Sequence, residues 1–372
     1  MIKSFQLSNF KCFENQSIEF SNLTLLSGLN GMGKSSVLQA LLLLRQSYQR
    51  QLLPDTGLAL NGDLVEIGTA EDALYKGAEK QEIAFAIALE NGTEGRWHFE
   101  YDREEDVLGY ASMPVAPSEI FQSSLFTDNF HYLQAERIGP RVIFKKSDFG
   151  VKEHKQIGHH GEYTAHFLEL LGENDICSSQ LAFPGVESQT LNLQVEAWLN
   201  QISPGIRLHL TDNLRMDLIN LQYSFPKQRT AQYRATNVGF GITFVLPVIV
   251  ALLSSSPNAL VLLENPEAHL HPQGQVKMGE LIARAASCGI QVLLETHSDH
   301  VLNGILIAVH AGILKPEEVN LHFFQRSNKP DEMSSEIISP KVNRDGRLDQ
   351  WPDGFFDEWD KSVEILLGPS TA

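Results

Sequence analysis

The sequence has few cysteines, no cysteine pair and no long apolar run. Among its 372 residues the three cysteines are Cys12, Cys177 and Cys288, which lie far apart and form no CxxC motif. This pattern argues against a disulfide framework and a thiolate zinc site, and it favours a reducing cytosol. No apolar run approaches the roughly 20 residues that span a bilayer. The first residues also lack the apolar stretch of a signal peptide. We therefore expect a cytoplasmic protein without a membrane segment.

Positive charge is also scarce. The chain has 29 Lys and Arg against 46 Asp and Glu, a formal net charge of −17. Such a chain is repelled by phosphate backbones unless its basic residues are clustered. Two basic stretches occur, one with Arg137, Arg141, Lys145, Lys146, Lys152 and Lys155 and the other with Lys227, Arg229 and Arg234. We interpret them as solvated faces, and DNA binding is the alternative.

Hydrophobic periodicity divides the chain into regions. The first hundred residues predict a strand, a loop, a leucine-rich helix and then an antiparallel hairpin around residues 91–95. From Asn237 onward, buried strands alternate with helices, at 244–253, 259–263, 274–286, 290–294 and 300–310. Alternating buried strands and helices are typical of a parallel sheet covered on both faces.

A glycine-rich loop lies between the predicted first buried strand and the leucine-rich helix. Residues 28–35 read GLNGMGKS and fit GxxxxGK[ST] at every fixed position. The glycines let backbone N–H groups turn inward around phosphate oxygens, and the helix adds its positive end. Lys34 is expected to reach the β- and γ-phosphates, and the Ser35 hydroxyl to ligate Mg²⁺. The predicted ligand is ATP, bound by Gly28, Asn30, Gly31, Gly33, Lys34, Ser35 and Ser36.

A P-loop ATPase also needs a carboxylate at the end of a neighbouring strand. The strand 259–263 is followed by Glu264, Asn265 and Glu267. At this point the sequence resembles a known family. The order NFKCF, GLNGMGKSS, LLENPEAHLHP and LLETHSDH resembles ABC-type ATPases that include SMC and RecF proteins, and especially the OLD-like ATPases of bacteria. The ending WPDGFFDE resembles a short C-terminal domain of unknown function in a subset often encoded with anti-phage defence genes. The resemblance is weak between about 102 and 233.

The resemblance implies roles for several residues. Glu264 takes the position of the magnesium-site acid, together with Ser35. Asn265 falls on the usual catalytic-base position, but an amide cannot accept a proton as a carboxylate does. Either Glu267 acts instead, or hydrolysis is slow. His297 matches the switch histidine that contacts the γ-phosphate.

The resemblance also implies a homodimer. Gly239 and Gly241 open a predicted apolar helix where the family carries its signature motif, which reaches the nucleotide of the partner subunit. The usual signature serine is not obvious here. Gln134 and Gln46 compete for the role of the glutamine that senses magnesium, and both stay open. Arg137 could reach phosphate, but we favour a structural ion pair.

The predicted fold class is α/β, a P-loop NTPase core of the ABC-ATPase type with an antiparallel β subdomain and an inserted helical region. The predicted units are an N-terminal ATPase lobe (1–101), an inserted region (102–235), a C-terminal ATPase lobe (236–325) and a small C-terminal domain (326–372). The predicted function is ATP binding and hydrolysis, with dimerisation driven by ATP that controls a protein effector, in phage defence. The alternatives are a nucleotide-gated scaffold with little hydrolysis and a RecF-like DNA-repair ATPase.

Overall fold

The N-terminal part of the chain forms an antiparallel sheet, one strand of a second sheet and a long helix. The computed structural model describes residues 1–213, 217–225, 231–326 and 335–368. The first elements are β1 (Ile2–Phe10), β2 (Phe13–Glu19), β3 (Leu23–Gly28), α1 (Lys34–Gln49), β4 (Gly57–Ala59), α2 (Ala70–Ala73), β5 (Glu82–Leu89), β6 (Glu94–Glu100) and β7 (Val107–Gly109). The antiparallel sheet has the order β2-β1-β5-β6. In β5, buried residues alternate with half-buried ones, as period-two hydrophobicity predicts.

The middle of the chain is a mixed region. Its elements are β8 (Phe130–Leu133), β9 (Phe144–Lys145), α3 (Thr164–Leu171), α4 (Leu191–Ile202), β10 (Arg207–Asn213), β11 (Leu218–Ser224) and β12 (Tyr233–Arg234). The last three strands pair in the order β10-β11-β12, and β9 also pairs with β11. Helix α4 covers the span predicted from apolar residues at helical spacing, because Leu191, Val195, Trp198 and Leu199 all face the core.

The last part of the chain alternates helices and strands. Its elements are α5 (Phe240–Ser254), β13 (Leu260–Glu264), α6 (Pro272–Ser287), β14 (Gln291–Glu295), α7 (Asp299–His310), β15 (Val319–Arg326), β16 (Ser335–Ile338) and α8 (Glu358–Leu367). Within the ranges that the structure describes, no helix is both long and apolar enough to cross a bilayer.

A six-stranded sheet organises the molecule, with the order β16-β15-β3-β14-β13-β8. All neighbours in it are parallel except β15 and β16. Side chains alternate between two cores: Leu23 and Leu25 of β3 face the core with α4 to α7, whereas Leu26 faces the core with α1 and the antiparallel sheet. The predicted α/β fold with a parallel sheet covered on both faces is confirmed.

The central sheet crosses the predicted unit boundaries. Strand β8 lies in the region predicted as an insertion (102–235), yet it pairs in parallel with β13. Strand β16 lies in the region predicted as a separate domain (326–372), yet it pairs with β15. The unit boundaries at 102–235 and 326–372 stay a prediction, and the central sheet includes a strand from each of these regions. Local hydrophobic patterns identify strands, but they do not show which distant strands pair.

Candidate functional site

The loop between β3 and α1 has the backbone of a phosphate cradle. Gly28, Gly31 and Gly33 all have positive φ, at 130°, 77° and 99°. A Cβ atom on Gly28 would lie 2.1 Å from the carbonyl oxygen of Phe324, and one on Gly33 would lie 2.5 Å from Cys12 Sγ. No side chain caps the N-terminus of α1 at Gly33. The first N–H groups of α1 therefore remain available to an anion.

Lys34 is held inside this loop. Its Nζ donates hydrogen bonds to the carbonyl oxygens of Gly28 at 3.0 Å and Leu29 at 2.9 Å. It also lies 4.0 Å from a carboxylate oxygen of Glu295. Burial lowers the pKa of Lys34, and Glu295 opposes that shift. The Lys34 ammonium therefore lies inside the loop, next to the backbone of its first two residues.

The carboxylate in contact with Ser35 belongs to Glu295, at the end of β14. Ser35 Oγ donates to both Glu295 carboxylate oxygens, at 3.2 and 3.0 Å. Burial raises the pKa of Glu295, and neighbouring Glu264 raises it further, whereas Lys34 and Ser35 lower it. Glu295 belongs to the LLETHSDH motif but is not among the site residues predicted from the sequence. An acid at the carboxyl end of a buried strand was the signal that could have identified it.

Glu264 lies one strand further from the loop, opposite Glu295 in the parallel register of β13 and β14. Its Oε1 accepts from the Tyr132 hydroxyl at 2.8 Å, and its Oε2 accepts from the backbone N–H of Ala135 at 3.1 Å. Glu264 as a magnesium ligand therefore stays a prediction. Two neighbouring carboxylates and the Ser35 hydroxyl suit Mg²⁺, which binds to proteins through one or two carboxylates and substrate phosphates.

Glu267 and His297 lie together beside this acidic pair. Glu267 is 8% exposed, and its Oε1 accepts from the backbone N–H of His297 at 3.2 Å. Its Oε2 is buried and has no hydrogen-bond partner among the described residues. Burial lowers the pKa of His297 and so does Lys34, whereas Glu267 opposes the shift. Glu267 thus carries a carboxylate oxygen with unused acceptor capacity.

Arg137 fixes the loop that follows β13. Its guanidinium donates to the carbonyl oxygens of Glu264 at 2.6 Å and Asn265 at 2.7 Å, and it lies 4.4 Å from the centre of the Phe244 ring. Burial lowers its pKa to about 10. Asn265 has a φ of 44°, a conformation that Asn adopts more readily than most residues. Arg137 therefore bonds to backbone carbonyls, and among the described residues it does not form the ion pair that we favoured. Contact of Arg137 with phosphate stays a prediction.

The structure separates the two candidate glutamines. Gln46 is buried in α1, where it donates to the carbonyl oxygen of Ala59 at 2.9 Å and accepts from the N–H of Val65 at 3.2 Å. Gln134 directly follows β8 at the carboxyl edge of the sheet, and its side chain contacts His160. Which of the two glutamines senses magnesium stays a prediction, with Gln134 at the sheet edge and Gln46 in the core.

Gly239 and Gly241 lie at the N-terminus of α5, with Gly239 at the cap position. A Cβ atom on Gly241 would lie 2.4 Å from the carbonyl oxygen of His269. The helix start therefore packs on the loop after β13. Phe240, between the two glycines, is 46% exposed, and its ring lies 4.5 Å from that of His269. Contact between these glycines and a partner's nucleotide stays a prediction.

Two lysines of the first basic stretch form ion pairs within the described ranges. Lys146 pairs with Asp212 and Lys152 with Asp148, at 2.8 Å in each case. Arg137 is buried, whereas Arg141, Lys145, Lys155 and Arg234 are exposed. Lys227 and Arg229 lie outside the residues that the structure describes.

Three protein-family models match parts of the chain. Residues 1–105 match an "AAA ATPase domain", and residues 162–303 match an "AAA domain, putative AbiEii toxin, Type IV TA system". Residues 314–366 match a protein family of unknown function. No curated protein sequence matches the chain.

The fold is similar to that of SMC head domains. An SMC head bound to the C-winged helix domain of ScpA is 14% identical, with 92% of this chain and 98% of that chain covered and a TM-score of 0.50. The head domain from Thermotoga maritima is 13% identical, with 92% and 99% covered and a TM-score of 0.46. A head domain from Pyrococcus furiosus bound to the C-terminal domain of ScpA is 15% identical, with 98% of both chains covered and a TM-score of 0.47.

Proposed function

We propose that this chain, an ATPase with a P-loop fold like that of SMC heads, binds Mg-ATP on loop 28–35 and hydrolyses it with Glu267 as general base. The observation that carries the proposal is the buried carboxylate oxygen of Glu267, which has no hydrogen-bond partner among the described residues. A buried acceptor of this kind costs free energy unless a ligand or water satisfies it. A water molecule that attacks the γ-phosphate would satisfy it.

Different residues around the loop would bind the phosphates and the Mg²⁺ ion of the nucleotide. Backbone N–H groups of the loop and of the start of α1 would cradle the phosphates, with Lys34 on the β- and γ-phosphates. Mg²⁺ would be held by Ser35, with Glu264 and Glu295 as the acids beside it. The ion supplies charge neutralisation to the phosphates. His297, which lies next to Glu267, would contact the γ-phosphate.

Asn265 and Glu267 share one short loop, but only Glu267 can take a proton. The bond between its Oε1 and the N–H of His297 leaves Oε2 without a partner among the described residues, and Oε2 would accept the proton of the attacking water. Arg137 positions this loop through its bonds to the carbonyls of Glu264 and Asn265. A general base in a fixed position contributes about 10²–10⁴-fold to a rate.

The oligomeric and biological roles extend this proposal. ATP would favour a homodimer in which Gly239 and Gly241 of one copy approach the nucleotide of the other. Closure of the dimer would control a protein effector in the cytoplasm, in bacterial anti-phage defence. The toxin–antitoxin description of the family model that matches residues 162–303 is consistent with such a role.

The test is phosphate release by the wild type and by Glu267→Gln, with the exposed Glu317→Gln as matched control. We expect Glu267→Gln to lower the turnover number at least about 100-fold while ATP binding is retained, because the amide keeps an acceptor for the His297 N–H. Glu317→Gln should behave as the wild type. Phosphate release that is equally slow in all three proteins would favour the nucleotide-gated scaffold instead.

DNA binding, as in RecF-like repair ATPases, remains the alternative partner prediction. The exposed residues Arg141, Lys145 and Lys155 are the basic groups available for it in the first stretch. A gel shift with duplex DNA at increasing salt tests it, because phosphate contacts give a steep loss of affinity with salt. Absence of a shift at low salt would exclude this alternative.

A further inference from the structure

The C-terminal segment, residues 351–358, lies against the phosphate loop. A cavity of about 270 Å³ is lined on one side by residues 27–30 and His297. Its other side is formed by Phe323 and by Gly354, Phe356, Asp357 and Glu358 of the C-terminal segment. Residues 28–30 begin the phosphate loop, and His297 is the residue predicted to contact the γ-phosphate. The C-terminal segment thus borders the nucleotide site where ATP and ADP differ.

One residue of the C-terminal segment, Phe355, packs in the hydrophobic core. Phe355 is fully buried, and its ring packs edge-to-face on Phe323 of β15 at 5.4 Å. The ring of Trp351 lies 5.6 Å from that of Phe355. The next residue, Phe356, has a φ of 55°, a region that a bulky side chain rarely adopts. The chain is therefore anchored at Phe355. Its backbone is strained at Phe356, directly before Asp357 and Glu358, which line the cavity.

Those acids give the cavity a negative wall. Asp357 accepts from the N–H of Gly354 at 3.0 Å through Oδ2, whereas its Oδ1 is buried without a hydrogen-bond partner in the described part of the chain. Lys361 pairs with both Asp353 and Asp357. One ammonium is thus shared by two carboxylates and leaves a net negative charge, and Glu358 adds a further negative charge to the cavity wall.

We propose that the C-terminal segment is a wall of the nucleotide site and that Asp357 and Glu358 make this site distinguish ATP from ADP. The γ-phosphate adds negative charge beside two carboxylates, and like charges repel. ATP then binds only as the segment moves away, whereas ADP leaves it in place. Since Glu358 begins α8, this movement carries α8 and its exposed residues Trp359, Ile365, Leu366 and Leu367 with it. This inference rests on the proposed nucleotide site.

The natural tryptophans report such a movement. The chain has four of them. Trp97 and Trp198 are 0% and 2% exposed, whereas Trp351 and Trp359 are 55% and 71% exposed. We expect Mg²⁺ with a slowly hydrolysed ATP analogue to change acrylamide quenching of tryptophan fluorescence, and Mg-ADP to leave it unchanged. Trp359→Phe should remove most of the change. Equal quenching with both nucleotides would contradict the movement.

Affinity measurements test the role of the charges. The double variant Asp357→Asn with Glu358→Gln should raise the ratio of ATP-analogue to ADP affinity about 3- to 10-fold, because the added γ-phosphate charge then meets no carboxylates of the C-terminal segment. Glu358→Asp, which keeps the charge, and Glu317→Gln, which is distant and exposed, should leave the ratio unchanged. A melting curve of each variant establishes that it is folded.

The outcomes separate this inference from the proposed function. An unchanged affinity ratio in the folded double variant, with both nucleotides still bound, would overturn the inference and leave the nucleotide site intact. Loss of binding of both nucleotides in the wild type would refute the proposed function together with this inference. An increase in the ratio for the double variant but not for Glu358→Asp would support the electrostatic role of the segment.

Discussion

Replacement of Glu295 by Gln has opposite expected effects on stability and on magnesium affinity. The carboxylate lies 4.0 Å from the Lys34 ammonium, a separation at which two unit charges attract by about 4 kcal/mol at an effective dielectric constant of about 20. Both groups are nonetheless shifted toward their neutral forms, because burial lowers the pKa of Lys34 and raises that of Glu295. Desolvation therefore outweighs the attraction in this pair.

The sign of the pH effect follows from the raised pKa of Glu295. Above that pKa the buried carboxylate is charged and destabilises the fold, and this penalty is relieved as the pH falls through it. The side chain at position 295 of the Glu295→Gln variant is neutral at every pH. We expect the variant to be at least as stable as the wild type at pH 7, with the difference disappearing in acid. Lys34 keeps its bonds to the carbonyls of Gly28 and Leu29.

We expect Glu295→Gln to lower the affinity of the site for Mg²⁺. The Ser35 hydroxyl donates to the Glu295 carboxylate, whose two oxygens lie 3.2 and 3.0 Å from Ser35 Oγ. Loss of a partner that orients a metal ligand typically costs about 10–100-fold in metal affinity or activity. The Mg²⁺ concentration for half-maximal ATPase activity should therefore rise at least about 10-fold. The assays are urea unfolding at pH 5 to 8 and Mg²⁺ titration of phosphate release. A variant with an unchanged Mg²⁺ requirement and much lower stability would refute this reasoning.

Three further predictions concern residues that shape the site and its sheet. Gly33→Ala should lose ATP binding and about 1–3 kcal/mol of stability, because a Cβ at a φ of 99° would meet Cys12 Sγ and Phe13 Cζ at 2.5 Å; binding and melting like those of the wild type would contradict this. Arg137→Lys should lower the unfolding free energy by about 1–3 kcal/mol, because an ammonium cannot replace the guanidinium bonds to Glu264 and Asn265, and it should slow turnover more than it weakens ATP binding. Buried His131 has a pKa lowered to about 4 by burial and by Arg45. Its neutral form favours the fold at neutral pH, and this contribution is lost as the pH falls from about 6.5 toward 4, amounting to about 2 kcal/mol between pH 7 and pH 5. Urea unfolding of wild type and His131→Leu at both pH values measures it, and parallel losses in the two proteins would contradict the assignment.

Local patterns in the sequence were sufficient for most helices and strands. The leucine-rich helix predicted to begin near Ser35 is α1, and the apolar strand before Gly28 is β3. Both predictions rest on periodicity and on a loop motif with fixed glycine positions, which are local properties. The parallel sheet also followed from alternating buried strands and helices.

Contacts between distant segments could not be predicted in this way. The sequence does not show that β14 lies between β3 and β13, and this placement brings Glu295 rather than Glu264 to Ser35. Nor does a local pattern reveal that residues 354–358 face residues 27–30. The burial of the Gln46 side chain against Ala59 is likewise not visible in a local pattern. Each of these facts depends on sheet order and tertiary packing, which single-sequence patterns do not contain.

Equilibrium binding of a slowly hydrolysed ATP analogue with Mg²⁺ to the wild type and to Lys34→Ala tests the central claim most directly. The account predicts that the wild type binds and that Lys34→Ala binds at least about 100-fold more weakly, because the loop ammonium and its charge-assisted bonds to phosphate are removed. Equal affinity of the two folded proteins, or no binding by the wild type, would contradict it.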